Sequence, residues 1–351
     1  MLFIFNLIGV PVSLIHIQNL NKYFKVLNRR EGMSGAFRDL FSGDYKIVKA
    51  VDGISYDIEV GEIVGYIGPN GAGKSTTIKM MTGILKPTDG VILVNGHTPY
   101  ANRIRQAQIM GVVFGQRTQL WWDLPVIESF KILKEIYIVD QITFDRHMGM
   151  FNDLVGLKPL YSLQVRTLSL GQRMLCDITA SFLHNPQVVF LDEPTIGLDV
   201  AIKAKIRSVI KELNQTRKTT IILTTHDLGD VEALCHRIII IDKGKILYDG
   251  DIKKVTILFG AYRTLKVQFD DFSNSTLNDL DIKLKKRFGE KNGISIGQTE
   301  EFWTDVTIDQ ACTPLSDVLS LVMTNFNVFD VRIVEISMES VVQKIYNGAL
   351  G

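Results

Sequence analysis

The sequence predicts an α/β fold whose core is a mostly parallel sheet, and three observations carry that reading. VVFLDEP, TTIILTTH and HRIIIIDKG are dense β-branched runs bounded by turns, the composition of strands covered on both faces. IVGYIGPNGAGKSTTIKMMTGIL joins a short strand to a helix through a glycine-rich turn. After GKILYDGD the periodicity changes, which marks a second, smaller domain.

The elements follow in chain order. MLFIFNLIGVPVSLIHI is apolar, but Asn6, Gly9 and Pro11 interrupt it and no Lys or Arg precedes Lys22. It is too short and broken to cross a bilayer, and it lacks the basic start of a signal peptide. Residues 1–12 read as an extension, with one alternative being that translation starts near Val12 or Ser13. SLIHIQNL alternates as a strand does, and the polar, glycine-bearing segment from Val26 to about Asp44 reads as an insert loop. AVDGISYDIEVGEIVGYIG supplies short strands that lead into the glycine turn. Residues about 101–170, including FKILKEIYIV and FNDLVGL, read as an inserted helical subdomain within a 13–257 core. From 258 to 351, YRTLKVQF, NSTLNDLDIKLKKRF, NGISIG, FWTDVTID, PLSDVLSLVMTNF and FDVRIVEI fit a β-α-β-β-α-β order closed by a helix, SMESVVQKIY. That order predicts a small α+β domain of ferredoxin-like type.

Composition narrows the chemistry. Hydrophobic residues are 46% and charged residues 22% of 351, an ordinary balance for a folded chain. Lys plus Arg number 39 against 38 Asp plus Glu, so no global field recruits nucleic acid, and no nucleic-acid partner is expected. The 3 cysteines lack metal-ligand spacing; Cys176 and Cys235 lie in apolar runs and read as buried thiols in a reducing compartment.

Residues Gly68 through Ser75 match G-x-x-x-x-G-K-[ST]. In such a loop, here Gly68, Pro69, Asn70, Gly71, Ala72 and Gly73, the glycines leave backbone N–H groups free to cradle phosphates. Lys74 reaches the β/γ pair, Ser75 can ligate Mg²⁺, and Thr76 continues into the helix whose N-terminus faces the anion. A glycine turn that merely links strand and helix is the plain alternative, and the strand before and helix after weigh against it. VVFLDEP places two carboxylates at the end of a buried strand: Asp192 can hold the Mg²⁺ shell, and Glu193 can polarise an attacking water.

A phosphate loop alone does not separate classes of NTPase. TLSLGQRM, LDEP, IGLD and LTTH, following the loop in that order, resemble the signature motif, Walker B, D-loop and H-loop of ATP-binding cassette (ABC) nucleotide-binding domains, over about residues 13–250. The resemblance implies a P-loop NTPase (RecA-like) core with a helical subdomain, ATP and Mg²⁺ as cofactors, and ATP hydrolysis. It also implies a dimer, with a second copy or a related ATPase subunit, closed head to tail on two ATP molecules. In that arrangement Ser169, Gly171 and Gln172 cap the nucleotide held by the partner. Leu170 departs from the commonest LSGGQ form, and Ser169 also fits a helix N-cap; both roles are compatible.

Other roles are carried over by position. Gln116 fits the Q-loop glutamine that senses Mg²⁺ and water, with Gln119 second and Val126 as the apolar residue after the loop. His226 fits the switch histidine, Asp199 the D-loop aspartate, and Phe24 the adenine-stacking aromatic, with Tyr23 second and a packing aromatic as the plain alternative. The implied reaction is in-line attack of water on the γ-phosphate, with Glu193 as base, Lys74 stabilising charge and His226 holding the geometry.

Two functions remain open at this level. The first is the ATPase subunit of a transporter, peripheral at the cytoplasmic face of the membrane. WWDLP would then dock an integral membrane permease, although both tryptophans could pack internally. The REGMSGAFRDLF insert, WWDLP, IGLD and the appended domain look most like ATPases paired with ABC-2 type permeases, many of them exporters. The second is a non-transport ABC ATPase driving a soluble assembly or repair complex. DNA-repair relatives carry long coiled coils, and no sustained heptads occur here. The appended domain shows no catalytic motif and reads as a packing or dimerisation appendage.

Overall fold

A computed structural model describes residues 13–27, 45–114, 117–225, 227–254, 262–270, 273–290, 292–300, 303–335 and 345. The chain divides into two compact units, Met1–Asp251 and Ile252–Gly351. The REGMSGAFRDLF insert, the 1–12 extension and, apart from Ile345, the closing SMESVVQKIY helix lie outside the described residues.

The first unit contains strands β1 (Ile15–Leu27), β2 (Tyr45–Ile58), β3 (Ile63–Ile67), β4 (Asp89–Val94), β5 (Met110–Phe114), β6 (Val188–Asp192), β7 (Thr220–Thr224), β8 (Arg237–Asp242) and β9 (Lys245–Asp251). Its helices are α1 (Lys74–Met81), α2 (Arg103–Ile109), α3 (Val126–Ile136), α4 (Gln141–Val155), α5 (Leu170–Phe182), α6 (Val200–Arg217) and α7 (Leu228–Leu234). One antiparallel sheet of 3 strands runs β2-β1-β4, and a 6-stranded sheet runs β5-β6-β7-β3-β8-β9. Within the larger sheet every pairing is parallel except β8 with β9. All five residues of β3 and of β7 are buried, as the unbroken β-branched runs predict for strands covered on both faces. Phe190, Tyr66, Ile222 and Met80 join Ile15 and Ile17 in a single apolar cluster between the two sheets and helix α1.

This topology positions the site. Because β6, β7 and β3 are neighbours and parallel, their carboxyl ends lie side by side, and the loops after them share one edge of the sheet. The phosphate loop follows β3, the LDEP carboxylates end β6, and the LTTHD segment follows β7.

Two boundaries differ from the sequence expectation. MGVVF, inside the stretch expected to be helical, is strand β5 and pairs in parallel with β6 from Met110↔Val188 to Phe114↔Asp192. Its five residues are too few for periodicity to reveal, and β6 supplies the hydrogen-bond partners that decide its state. Strand β1 also continues to Leu27, with Val26 opposite Lys46, so pairing with β2 shortens the expected insert at its start, while β2 opens at Tyr45, where that insert was expected to end. The rest of the helical region is as expected: Asp140 caps α4 by accepting from Thr143 N, and Gly156 closes it in the left-handed conformation.

The second unit holds β10 (Tyr262–Phe269), α8 (Asn274–Phe288), β11 (Ile294–Glu300), β12 (Trp303–Asp309), α9 (Leu315–Asn325) and β13 (Val328–Glu335). The strands form one antiparallel sheet in the order β11-β12-β10-β13, the ferredoxin-like arrangement of a β-α-β-β-α-β chain. Leu265, Val267, Val306 and Ile308 from the sheet meet Leu280, Leu284, Val318 and Val322 from the two helices to make its own core. Among the described residues of the whole chain, no helix is long and apolar enough to cross a membrane.

Candidate nucleotide site

At the strand ends a cleft of about 700 Å³ opens, lined by Asn70, Gly71, Ala72, Gly73, Lys74, Ser75 and Thr76 together with Asp192 and Glu193. Glycine is required at two points of the loop below it. A Cβ on Gly68 would lie 2.4 Å from the Ile241 carbonyl oxygen, and one on Gly73, whose φ is +112°, would lie 2.4 Å from that of Ala50. At these two points the loop packs against neighbouring backbone with no room for a side chain.

Lys74, the first residue of α1, is buried, and its Nζ donates to the Gly68 carbonyl at 2.5 Å and the Pro69 carbonyl at 3.1 Å. Burial pulls its pKa down, while the carboxylates of Glu193 and Asp192 push it back up. Across the cleft Thr224 donates its hydroxyl to Asp192 Oδ1, and Glu193 N donates to the Thr224 carbonyl at 2.9 Å. Glu193 adopts a left-handed backbone, φ +54°, a costly conformation for a residue with a side chain. Ser75 is exposed and Asp192 half-buried at the same cleft. A hydroxyl and a carboxylate are hard oxygen donors of the kind Mg²⁺ takes, and a lysine beside a glycine loop at a helix N-terminus suits phosphate, so the residues fit Mg-ATP.

The remaining candidates fall elsewhere. Gln116 and His226 lie outside the described residues, although Arg117, Thr225 and Asp227 beside them are described. Phe24 is 38% exposed and outside the cleft lining, with Lys22 Nζ 5.2 Å above its ring. Tyr23 is committed, donating to Asn21 Oδ1 at 2.9 Å and Asp52 Oδ1 at 3.0 Å. Ser169, Gly171, Gln172 and Asp199 do not line the cleft either. Ser169 and Gln172 form a capping box: Gln172 N donates to Ser169 Oγ, and Ser169 N to Gln172 Oε1. The helix thus begins at Leu170, with Ser169 as the N-cap the sequence suggested. Asp199 caps α6 by accepting from Ile202 N at 2.9 Å. Arg117, Phe114, Lys79 and Ala50 line the cleft and were not anticipated; Arg117 stands next to Gln116, where a sequence reading could have noticed it.

The segment after Gln116 is tied to α5. Thr118 donates its hydroxyl to Asp177 Oδ1 at 2.8 Å, Gln119 N donates to the same oxygen at 3.0 Å, and Gln119 Nε2 reaches the Asp177 carbonyl at 2.9 Å. Trp121 and Trp122 remain 38% and 49% exposed; Arg173 of α5 stacks over Trp122 at 5.4 Å, and Asp123 pairs with Arg166 at 3.2 Å. Gln119 is therefore a structural amide. Burial lifts the Asp177 carboxyl from 3.8 to about 6, against the hydrogen bonds and Arg173, which lower it. The sign follows directly: an acid whose folded pKa is raised contributes its stabilisation below the unfolded value and loses it as pH rises through about 6. Asp177→Asn is expected to melt higher than the parent at pH 7.5, by up to about 3 kcal/mol of stability, with the gap closing toward pH 4.5. Thermal melts of both proteins across that range measure it, and a pH-independent gap would mean that Asp177 does not titrate there.

The two cysteines expected to be inert are buried, and burial pushes each thiol up to about 12. Among the described residues no group of His, Cys, Asp and Glu has the makings of a metal centre.

Comparison with known proteins decides the family. Residues 51–196 match the family model described as ABC transporter. The chain is 32% identical over 215 residues to the ABC transporter ATP-binding protein NatA of Bacillus subtilis, covering 61% of this chain and 87% of that protein. This chain is an ABC transporter ATP-binding protein. A second relative, the uncharacterized ABC transporter ATP-binding protein YhcH of Bacillus subtilis, is 29% identical over 289 residues, 82% of this chain and 88% of that protein, a span longer than Met1–Asp251. Among solved structures, cbiO1 from Clostridium perfringens, part of the ABC transporter complex cbiONQ, superimposes with a TM-score of 0.57 at 22% identity, over 78% of this chain and 97% of that one. As a member of this family the chain is an ATP-hydrolysing P-loop ATPase that works with ATP and Mg²⁺. For such an ABC ATPase the protein's contribution is placement of phosphate, metal and water, together with fixed charge.

Proposed function

We propose that this ABC ATPase pairs with a second copy across two Mg-ATP molecules and drives a separate membrane permease of ABC-2 type, as an exporter, from the cytoplasmic face of the membrane. Glu193 serves as general base, Lys74 holds the β/γ-phosphates, Ser75, Asp192 and Gln116 attend the metal, and His226 fixes the γ-phosphate geometry. Phe24, exposed and free of the hydrogen bonds that occupy Tyr23, stacks on adenine. The observation that carries the dimer is the separation of half-sites: the phosphate loop lines one cleft, and Ser169, Gly171 and Gln172 stand outside it. A capped helix N-terminus that its own chain's cleft does not use suits a phosphate brought by another chain.

The permease contact rests on Trp121 and Trp122, two adjacent, part-exposed aromatics; Arg173 lies over the Trp122 ring, and Asp123 beside them pairs with Arg166. Aromatic anchors of this kind are the side chains that dominate protein interfaces. The test is to tag Glu193→Gln in its native cells, solubilise membranes gently with Mg-ATP and identify what co-purifies by mass spectrometry. A stoichiometric polytopic membrane protein is expected. Recovery with a soluble partner alone would overturn the transporter reading in favour of a soluble ABC machine.

A further inference from the structure

Helix α7 carries Asp230, a carboxylate with 0% exposure on which three segments of the site converge. Arg207 of α6 donates Nε to its Oδ1 at 2.6 Å and places Nη2 2.5 Å from the same oxygen. Thr195, two residues beyond Glu193, donates its hydroxyl to Oδ2. The hydroxyl of Thr225, the residue before His226, lies 3.3 Å from Oδ2 and accepts from Asp227 N at 2.9 Å. Asp227 is held to α6 a second time, through Lys203 Nζ at 2.5 Å. One buried carboxylate thus joins the exit from LDEP, the loop of the switch histidine, and the helix that Asp199 of the D-loop caps.

The geometry points to Asp230 as the positioning residue that sets Glu193 and the His226 loop in one fixed relation. The inference rests on the roles proposed above for those two residues. Glu193 occupies a left-handed backbone that persists only where its surroundings over-determine it. Its own N–H is fixed to the Thr224 carbonyl on the β7 side. On its other side Ile196 N donates to the Glu193 carbonyl at 3.4 Å, and the Thr195 hydroxyl between them donates to Asp230, which ties that turn to α7. A buried ion pair is seldom a better source of stability than apolar side chains of the same volume; what it adds is direction, here toward two hydroxyls from two different loops. Asp230 touches none of the reacting atoms and acts through Thr195 and Thr225.

Asp230→Asn leaves Arg207 buried without its counter-charge and is apt to unfold the unit, so Thr195 provides the decisive pair of variants. In the full-length chain, Thr195→Val is expected to lower kcat roughly five- to tenfold while KM for ATP and the Kd of a fluorescent ATP analogue stay within about twofold. Thr195→Ser, which restores the hydroxyl, is expected to retain the parental kcat whatever its effect on Tm. Overturning results are a parental kcat in Thr195→Val, or losses of kcat in both variants that track Tm. Glu193→Gln is assayed alongside: if it hydrolyses ATP at the parental rate, the proposed role of Glu193 falls and the positioning role falls with it. If it is inactive while Thr195→Val is parental, only the positioning role falls.

Discussion

Glu193→Gln is expected to bind Mg-ATP as the parent does and to hydrolyse it about 10² to 10⁴ times more slowly, the usual loss when a general base is removed. The substitution preserves size and the Glu193 N–H bond to the Thr224 carbonyl, so the strained backbone and the cleft persist. What it removes is the carboxylate proposed above to take a proton from the attacking water. In the proposed assignment, binding draws instead on the glycine loop, Lys74, Ser75 and Asp192, none of which the change alters. Single-turnover phosphate release and a fluorescent-nucleotide titration separate the two quantities. A variant that lost affinity in proportion to rate would show Glu193 to be a binding residue.

Lys74→Ala is expected to do the converse. Losing a charged contact to phosphate costs about 1.5 to 3 kcal/mol, which raises the Kd for ATP by about 10- to 150-fold. The residue is buried, with its ammonium on the carbonyls of Gly68 and Pro69 and in the field of Glu193 and Asp192, so no bulk water stands ready to replace it. A second consequence is thermal: the rise in Tm that ATP gives the parent at fixed concentration should largely vanish, because ligand stabilisation scales with occupancy. Equal nucleotide protection in the two proteins would place Lys74 outside the site. Opposite responses of Glu193→Gln and Lys74→Ala to the same pair of assays would divide the cleft into a binding wall and a reacting wall.

Much of the site was legible because its chemistry depends on short contiguous segments. A loop that must present amides needs glycine at Gly68 and Gly73, and the lysine and hydroxyl must follow at once to stand at a helix N-terminus. Asp192 and Glu193 could be read for a similar reason, since a strand end displays its last residues at the sheet edge. Gly171 was assigned from the resemblance alone as part of the cap on a partner's nucleotide, and the fold adds that a Cβ there would meet Ile202 of α6 at 2.9 Å. Leu170, the departure from the usual motif, places its side chain 3.4 Å from the position of a Cβ on Gly197, against the IGLD segment.

The sequence by itself determined the α/β class, the order of elements in the appended domain, and the phosphate loop with its partner carboxylates. These depend on local periodicity and on spacing along the chain. Only the tertiary structure decided that MGVVF is a strand, because the partner that makes it one is β6, more than seventy residues away. It likewise decided that Asp177 and Asp230 are buried acceptors for loops distant in sequence. A lone aspartate in a helix carries no sign of which donors will surround it. Its environment is made by strands and loops brought together in folding, and that environment, rather than its identity, sets its charge and its role.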